Sequence, residues 1–379
     1  MRTPWIAPAV TLLVLINIIS CASAPKPYLV SQNPPLQFSG NAVGYTLKKM
    51  VIEGQSIPFN LWYPSDSEQK KFFYDFGGSV DSARDKVATQ LAVDGKVKNG
   101  SFPLIALSHG ATGCGIGLAF YAEQFVRAGF VVVAPDYPDE VVACTSDPAD
   151  YPLPRSRDAA LRKLKTLKFL RYLAGAGLNP QNPEDRFKAR EKFGYRPKIL
   201  RQAVQTLLNE KQTWHIDSSK IGLAGHSFGA WTSLLVGGLE QNRTFGHLVA
   251  AIAYISGPVR GYPFLPSEIA GIDKPLFFIF GSSEIEPSGQ QPKRRDQSLF
   301  FDSAKKQKYL TEIINTSHFS FSTGVRHQYE SIAEYLSNDP ARLVTAQLLT
   351  DFFMAHLTGN ATSLQALQKK RAGVADYLF

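Results

Sequence analysis

Gly225-His226-Ser227-Phe228-Gly229 follows an apolar run at 221–224 and precedes a helical pattern over 231–239. A Gly-x-Ser-x-Gly between a buried strand and a helix is the setting in which a serine sits on a strained turn with its Oγ exposed above a sheet edge. The glycines answer to crowding, because Cβ atoms at 225 and 229 would collide with neighbouring elements. Such a serine becomes a nucleophile when an imidazole takes its proton, and the chemistry is then acyl transfer. Acyl transfer needs two backbone N–H donors aimed where the carbonyl oxygen becomes negative. One is expected from Phe228, the residue after the serine. The other is expected from Ser108-His109-Gly110-Ala111-Thr112-Gly113-Cys114, at the end of a strand over 103–108, with Ala111 the best placed. His109 precedes the serine in the chain, which argues for a structural hydrogen-bonding role rather than the base.

The base is expected last in chain order, among His318, His327 and His356. His318, in Asn315-Thr316-Ser317-His318-Phe319, follows the final strand candidate, where a loop can carry the imidazole over the nucleophile. His356 lies within a helical pattern and reads as packing, and His327 is a minor alternative. An acid orients the histidine and stabilises the imidazolium. It is expected to leave the strand end at Phe280-Gly281, where Glu284 is the first carboxylate and Glu286 and Asp302 compete with it. No His, Cys, Asp or Glu cluster has metal spacing and no Gly-x-Gly-x-x-Gly or P-loop stands at a strand end, so neither metal nor cofactor is expected.

The elements that must position these residues alternate along the chain. Strands are expected at 44–52, 57–63, 103–108, 130–135, 220–224, 249–256, 275–281 and 308–314, and the middle ones are unbroken apolar runs, as in parallel strands covered on both faces. Helices are expected at 117–128, 156–174, 197–211, 229–239 and 341–357. Eight strands with intervening helices imply one doubly wound, mostly parallel α/β domain, with a helical insertion around 139–217. A hydrophobic content of 44% against 19% charged residues excludes a disordered chain, and a mean hydropathy of −0.12 excludes a polytopic membrane protein. The net charge of +9 is local, since 155–211 holds 15 Lys and Arg against 5 Asp and Glu. Solvated amphipathic helices account for it, with a surface for anionic lipid or acidic substrate as the alternative. Base-stacking aromatics are sparse there, so nucleic acid is not expected.

Residues 1–24 read as an export signal: Arg2 precedes an apolar stretch over 5–19 that Pro8 and Asn17 interrupt. Its end, Ile18-Ile19-Ser20-Cys21, resembles the lipobox of bacterial lipoproteins, in which the cysteine is acylated. That implies lipidation at Cys21 and membrane anchoring, a mature domain over 25–379, and a cell-envelope location. Cleavage after Ala22-Ser23-Ala24, giving a periplasmic or secreted protein, and an uncleaved anchor are the other readings. Export leaves Cys114 and Cys144 as an even pair in an oxidising compartment, either bridged or as two buried thiols.

Taken together, Trp62-Tyr63-Pro64, Leu107-Ser108-His109-Gly110, Ala134-Pro135-Asp136-Tyr137-Pro138, Gly225-His226-Ser227-Phe228-Gly229, the 277–284 segment and Ser317-His318-Phe319-Ser320-Phe321 resemble the α/β-hydrolase superfamily. Within it the chain is most similar to the dienelactone-hydrolase-like proteins and the platelet-activating-factor acetylhydrolases, over about residues 44–357. The resemblance implies a serine hydrolase acting on esters, with Ser227 as nucleophile, His318 as base, and Ala111 and Phe228 as oxyanion donors. It also makes the strands ending at Ser108 and Pro135 neighbours, which favours a Cys114–Cys144 bridge bracing the oxyanion loop. Two departures stand out. Dienelactone hydrolases carry Cys where Ser227 stands, and the acetylhydrolases take their acid from the loop after the preceding strand, which here reads Ile255-Ser256-Gly257-Pro258 without a carboxylate. The expectation is an exported carboxylic-ester hydrolase acting on a small-molecule or lipid ester. An amidase or peptidase, and a catalytically silent envelope-binding lipoprotein, are its rivals.

Overall fold

Where a strand is buried on both faces, its two sets of alternating side chains feed two separate cores. That pattern organises the computed structural model, which describes residues 39–76, 86–142, 144–149, 182–239, 243–258, 264–284, 294–322 and 340–378. Along β5 (Phe102–Ser108), Ile105 and Leu107 enter one core while Leu104 and Ala106 enter the other. Along β6 (Val131–Pro135), Val132 and Ala134 oppose Val131 and Val133 in the same way. Helix α1 (Ala119–Arg127) and helix α2 (Pro340–Thr358) cover the first face, where Phe125 and Phe353 meet edge to face with centroids 5.5 Å apart. Helix α3 (Tyr195–Asn209) and helix α4 (Phe228–Leu234) cover the second through Ile199, Leu200 and Trp231.

Each of the eight expected strand segments falls in a strand: β1 (Ala42–Ile52), β2 (Gln55–Ser65), β5, β6, β7 (Ile216–His226), β8 (Val249–Ile255), β9 (Leu276–Gly281) and β10 (Lys308–Ile313). The sheet nevertheless has eleven strands, in the order β11-β10-β9-β8-β7-β5-β6-β2-β1-β4-β3, which corrects the eight-stranded expectation. The additions are β3 (Lys70–Asp75), β4 (Lys86–Val93) and β11 (Val374–Leu378), all at the edges. Edge strands are half-solvated and carry weak apolar patterns, which is why sequence periodicity passes over them. Pairing is parallel from β6 through β10 and between β1 and β4, and antiparallel for β1–β2, β2–β6, β3–β4 and β10–β11. The sheet is therefore mixed but mostly parallel.

The chain passes from β5 to β6 on one side, then crosses back to β7 on the other, so β5 and β7 lie adjacent. Such a reversal of strand order leaves a crevice at the carboxyl ends of the two strands. The 197–211 helix is present as α3, and a further helix, α5 (Pro183–Lys192), precedes it in the insertion, where no helix is expected from apolar spacing. Its start is written in polar signals rather than apolar spacing. The Asn182 side chain accepts the Glu184 N–H at 3.0 Å, acids fill the first turn and Arg190 and Lys192 the last. The N-terminal segment with Cys21, the 156–174 helix, His327 and Glu286 lie outside the described residues. Among those described, no helix is long and apolar enough to cross a membrane.

Candidate functional site

Ser227 joins β7 to α4 with φ 56° and ψ −123°, a conformation that L side chains rarely adopt. The flanking glycines permit this turn. A Cβ at 225 would stand 2.1 Å from the Gly229 carbonyl oxygen, and one at 229 would stand 1.9 Å from that of Ser108. The Ser227 N–H donates to Ile255 O at 2.9 Å, tying the turn to the end of β8. Neighbouring strand ends are linked alike, through Ser256 N–H to Ile279 O and Ser282 N–H to Ile313 O. Of seven non-glycine residues with positive φ among those described, Thr112, Ser227, Ser256 and Asn315 all lie in loops beyond these carboxyl ends. Backbone strain is concentrated where the chemistry-bearing side chains are.

His318 opens a short 3-10 turn (His318–Phe321) after β10, and its Nε2 stands 2.9 Å from Ser227 Oγ. The His226 ring donates from Nε2 to His318 O at 2.9 Å, fixing the backbone that carries the imidazole. Glu284, 5% exposed, reaches it, with Oε2 3.3 Å from His318 Nδ1. Asp302 sits exposed on helix α6 (Arg294–Ser303) and makes no such contact. His356 stands on α2 with Nε2 3.1 Å from Tyr309 Oη, and burial holds its pKa down to about 4.

Ser256 stands between His318 and Glu284, a position that sequence reasoning does not predict. Its Oγ lies 2.6 Å from His318 Nδ1 and donates to Glu284 Oε2 at 2.5 Å. Glu284 Oε1 accepts the Gly281 N–H at 2.7 Å. An ionised carboxylate only accepts, so the one hydroxyl proton of Ser256 goes to Glu284 and Nδ1 must supply the proton of the other bond. That leaves Nε2 bare and able to accept from Ser227. The only sequence signal was position: Ser256 stands in the very segment that lacked a carboxylate.

On the other flank, the loop after β5 lies against Ser227, since a Cβ at Gly110 would stand 3.2 Å from Ser227 Cβ. Gly110 O accepts from Gly113 N–H at 3.3 Å, closing a turn with Ala111 and Thr112 at its centre. His109, 2% exposed, stacks on Tyr137 at 4.7 Å, and its Nδ1 bonds Gly110 O at 2.7 Å. Burial and then the Arg196 charge hold its pKa down at about 3, so the ring is neutral and works as structure. Arg196, from α3, is fully buried and reaches the same loop. It donates to His109 O at 2.9 Å and Gly110 O at 3.2 Å, and from Nε and Nη2 to Asp139 at 2.9 and 2.5 Å. Asp139 Oδ2 in turn accepts the Thr112 N–H at 3.3 Å. Burial acts to raise the Asp139 pKa, but Arg196 outweighs it and holds the carboxyl below its usual range. Neither residue announced itself in the sequence, where each was one charge among many.

Cys114 and Cys144 form a disulfide with Cα atoms 5.5 Å apart, next to the loop. Beside it Asp136 accepts Gly115 N–H at 2.6 Å, Ser146 N–H at 2.8 Å and Ser146 Oγ–H at 2.6 Å. The cations of α5 and α3 are mostly paired, as in Lys188–Glu184 and Arg190–Glu268 at 2.7 Å each and Lys198–Glu53, the pattern of a solvated surface. Among the described residues no group of three or more His, Cys, Asp or Glu could hold a metal ion. No protein-family model matches the chain, and no curated protein matches it either. What the arrangement can do follows from its geometry: remove a proton from Ser227 through a histidine whose tautomer is imposed from behind.

Proposed function

We propose that this chain is an exported serine hydrolase of the α/β-hydrolase type that cleaves carboxylic esters through an acyl-enzyme on Ser227. The observation that carries the reading is the 2.9 Å contact between Ser227 Oγ and His318 Nε2, made by a serine on a positive-φ strand-to-helix turn. In this reading Ser227 attacks the ester carbonyl while His318 takes its proton, and the imidazolium is stabilised through Ser256 and Glu284. The N–H groups of Ala111 and Phe228 receive the developing oxyanion. His318 returns the proton to the leaving alkoxide, and water, activated by the same imidazole, releases the acyl group. Location at the carboxyl ends of β5 and β7, where the strand order reverses, supports a substrate crevice there. The Cys114–Cys144 bridge supports an oxidising compartment, with Cys21 as the residue that would carry a lipid anchor.

The test is labelling of the purified, oxidised protein with a fluorophosphonate probe, with Ser227→Ala and His318→Ala alongside. Wild type is expected to label and both variants to stay dark. A dark wild type would overturn the hydrolase reading and leave a silent binding protein. Matched aryl esters and anilides are then compared, and faster turnover of the anilide would replace esterase by amidase.

A further inference from the structure

The oxyanion donor at Ala111 belongs to the same peptide unit as the Gly110 carbonyl. No peptide bond among the described residues is cis, so in that unit C=O and N–H point in opposite directions. Whatever holds the Gly110 oxygen therefore decides where the Ala111 N–H points. Three donors converge on it: Gly113 N–H, His109 Nδ1–H and Arg196 Nη2. The first two come from the loop itself, with the His109 ring braced on Tyr137. Only Arg196 comes from another element, and it takes the preceding carbonyl as well, so two successive peptide planes are held by one rigid fork.

We propose that Arg196, carried by the inserted helix α3, is the positioning residue that aims the Ala111 N–H at the reacting carbonyl. The proposal rests on the hydrolase reading above. Three observations support it. The guanidinium lies 4.3 Å from the ring centroids of both Tyr137 and Phe228, so it is clamped between the loop's support and the residue that supplies the second oxyanion donor. Asp139 neutralises Arg196 and also binds the Thr112 N–H, so the peptides before and after Ala111 are both tied to one ion pair. Thr112 holds a φ of 64°, costly for a β-branched residue, and its Asp139 bond is the contact that retains it. The insertion is then part of the oxyanion hole's framework rather than only a cover over the site.

Arg196→Lys keeps the charge but cannot fork across two carbonyls while holding Asp139. With an activated aryl ester, kcat is expected to fall by on the order of a hundredfold, with KM changed less than about threefold. Affinity for an aryl trifluoromethyl ketone, whose serine adduct puts an oxyanion in the hole, should fall by the same factor. The pH profile of kcat/KM should not move, because the Ser227–His318 contact is untouched. The paired variant Arg196→Met with Asp139→Leu removes both charges at once, avoids a lone buried ion and should show the same loss of ketone affinity. A folded variant with unchanged kcat, or with lowered kcat and undiminished ketone affinity, would overturn the proposal while leaving the hydrolase reading intact. A wild type that neither turns over ester nor labels would sink that reading, and this proposal with it.

Discussion

On one side of Ser227 the loop after β5 is held by a fully buried ion pair, by Asp136 with three donors, and by a disulfide. On the histidine side the described contacts that hold the loops after β8, β9 and β10 are Glu284, the Ser256 and Ser282 hydroxyls, the His226 ring on His318 O, Arg342 on Ser320 O and backbone bonds between strand ends. In the proposed hydrolase, with the oxyanion hole on the β5 side, the difference follows from what each side would do. An oxyanion hole acts by donors already aimed before charge develops, and a backbone N–H can be aimed only by immobilising its whole loop. A histidine that gains and loses a proton needs neighbours that respond to its charge, and a short chain of hydrogen bonds does that. A fully buried ion pair and a cross-link therefore sit on one side, and a chain of separate hydrogen bonds on the other.

The largest way to break this contrast is Glu284→Gln. Gly281 N–H will hold the amide oxygen where Oε1 was, turning the amide NH2 towards Ser256 and His318. Both would then be offered a donor in place of an acceptor, and Nδ1 would be driven to the bare form with the proton on Nε2. Loss of about three to four orders of magnitude in kcat, with melting temperature little changed, is expected from steady-state kinetics and calorimetry. Retention of activity would mean another acid serves His318.

Next is the cross-link. Cys114→Ser with Cys144→Ser opens a loop spanning 30 residues and should cost about 3–4 kcal/mol in urea unfolding. An unchanged midpoint would show that the buried ion pair alone suffices to hold this side. Asp136 provides a third, pH-dependent lever, since burial raises its pKa to about 6 from a model-compound value of 3.8. With the folded pKa above the unfolded one, its contribution is fully present below about pH 4 and is lost as pH rises through 6. Asp136→Asn does not titrate, so the stability gap between wild type and variant should narrow by roughly 2 kcal/mol from pH 4 to pH 7.5. A gap independent of pH would show that Asp136 titrates normally.

The smallest effect is expected at Ser256. In Ser256→Ala, Glu284 Oε2 remains 3.3 Å from His318 Nδ1 and can accept its proton directly. A loss of about tenfold in kcat follows, one ordinary hydrogen bond's worth. A loss as large as that of Glu284→Gln would make the hydroxyl, not the carboxylate, the partner that matters.

Much of the framework was legible in the linear chain. Ser227 could be read because its turn needs small neighbours and its strand and helix have distinct apolar periods, all within about twenty residues. The expected strands could be read for the same reason, whereas β3, β4 and β11 could not, because half-solvated edges carry little pattern. Helix α5 escaped because its signals are charges at its ends rather than an apolar face.

Tertiary structure alone decided the partners. Ser256 reaches His318 across 62 residues and Arg196 reaches Asp139 across 57, because strand order brings distant loops to one edge of the sheet. A local pattern reports which face of an element is buried; it does not report which side chain waits at the end of the neighbouring strand. So Ser227 with its turn, and His318 and Glu284 as first candidates, were written in sequence, while the Ser256 bridge between the last two and the Arg196 contacts arose from packing.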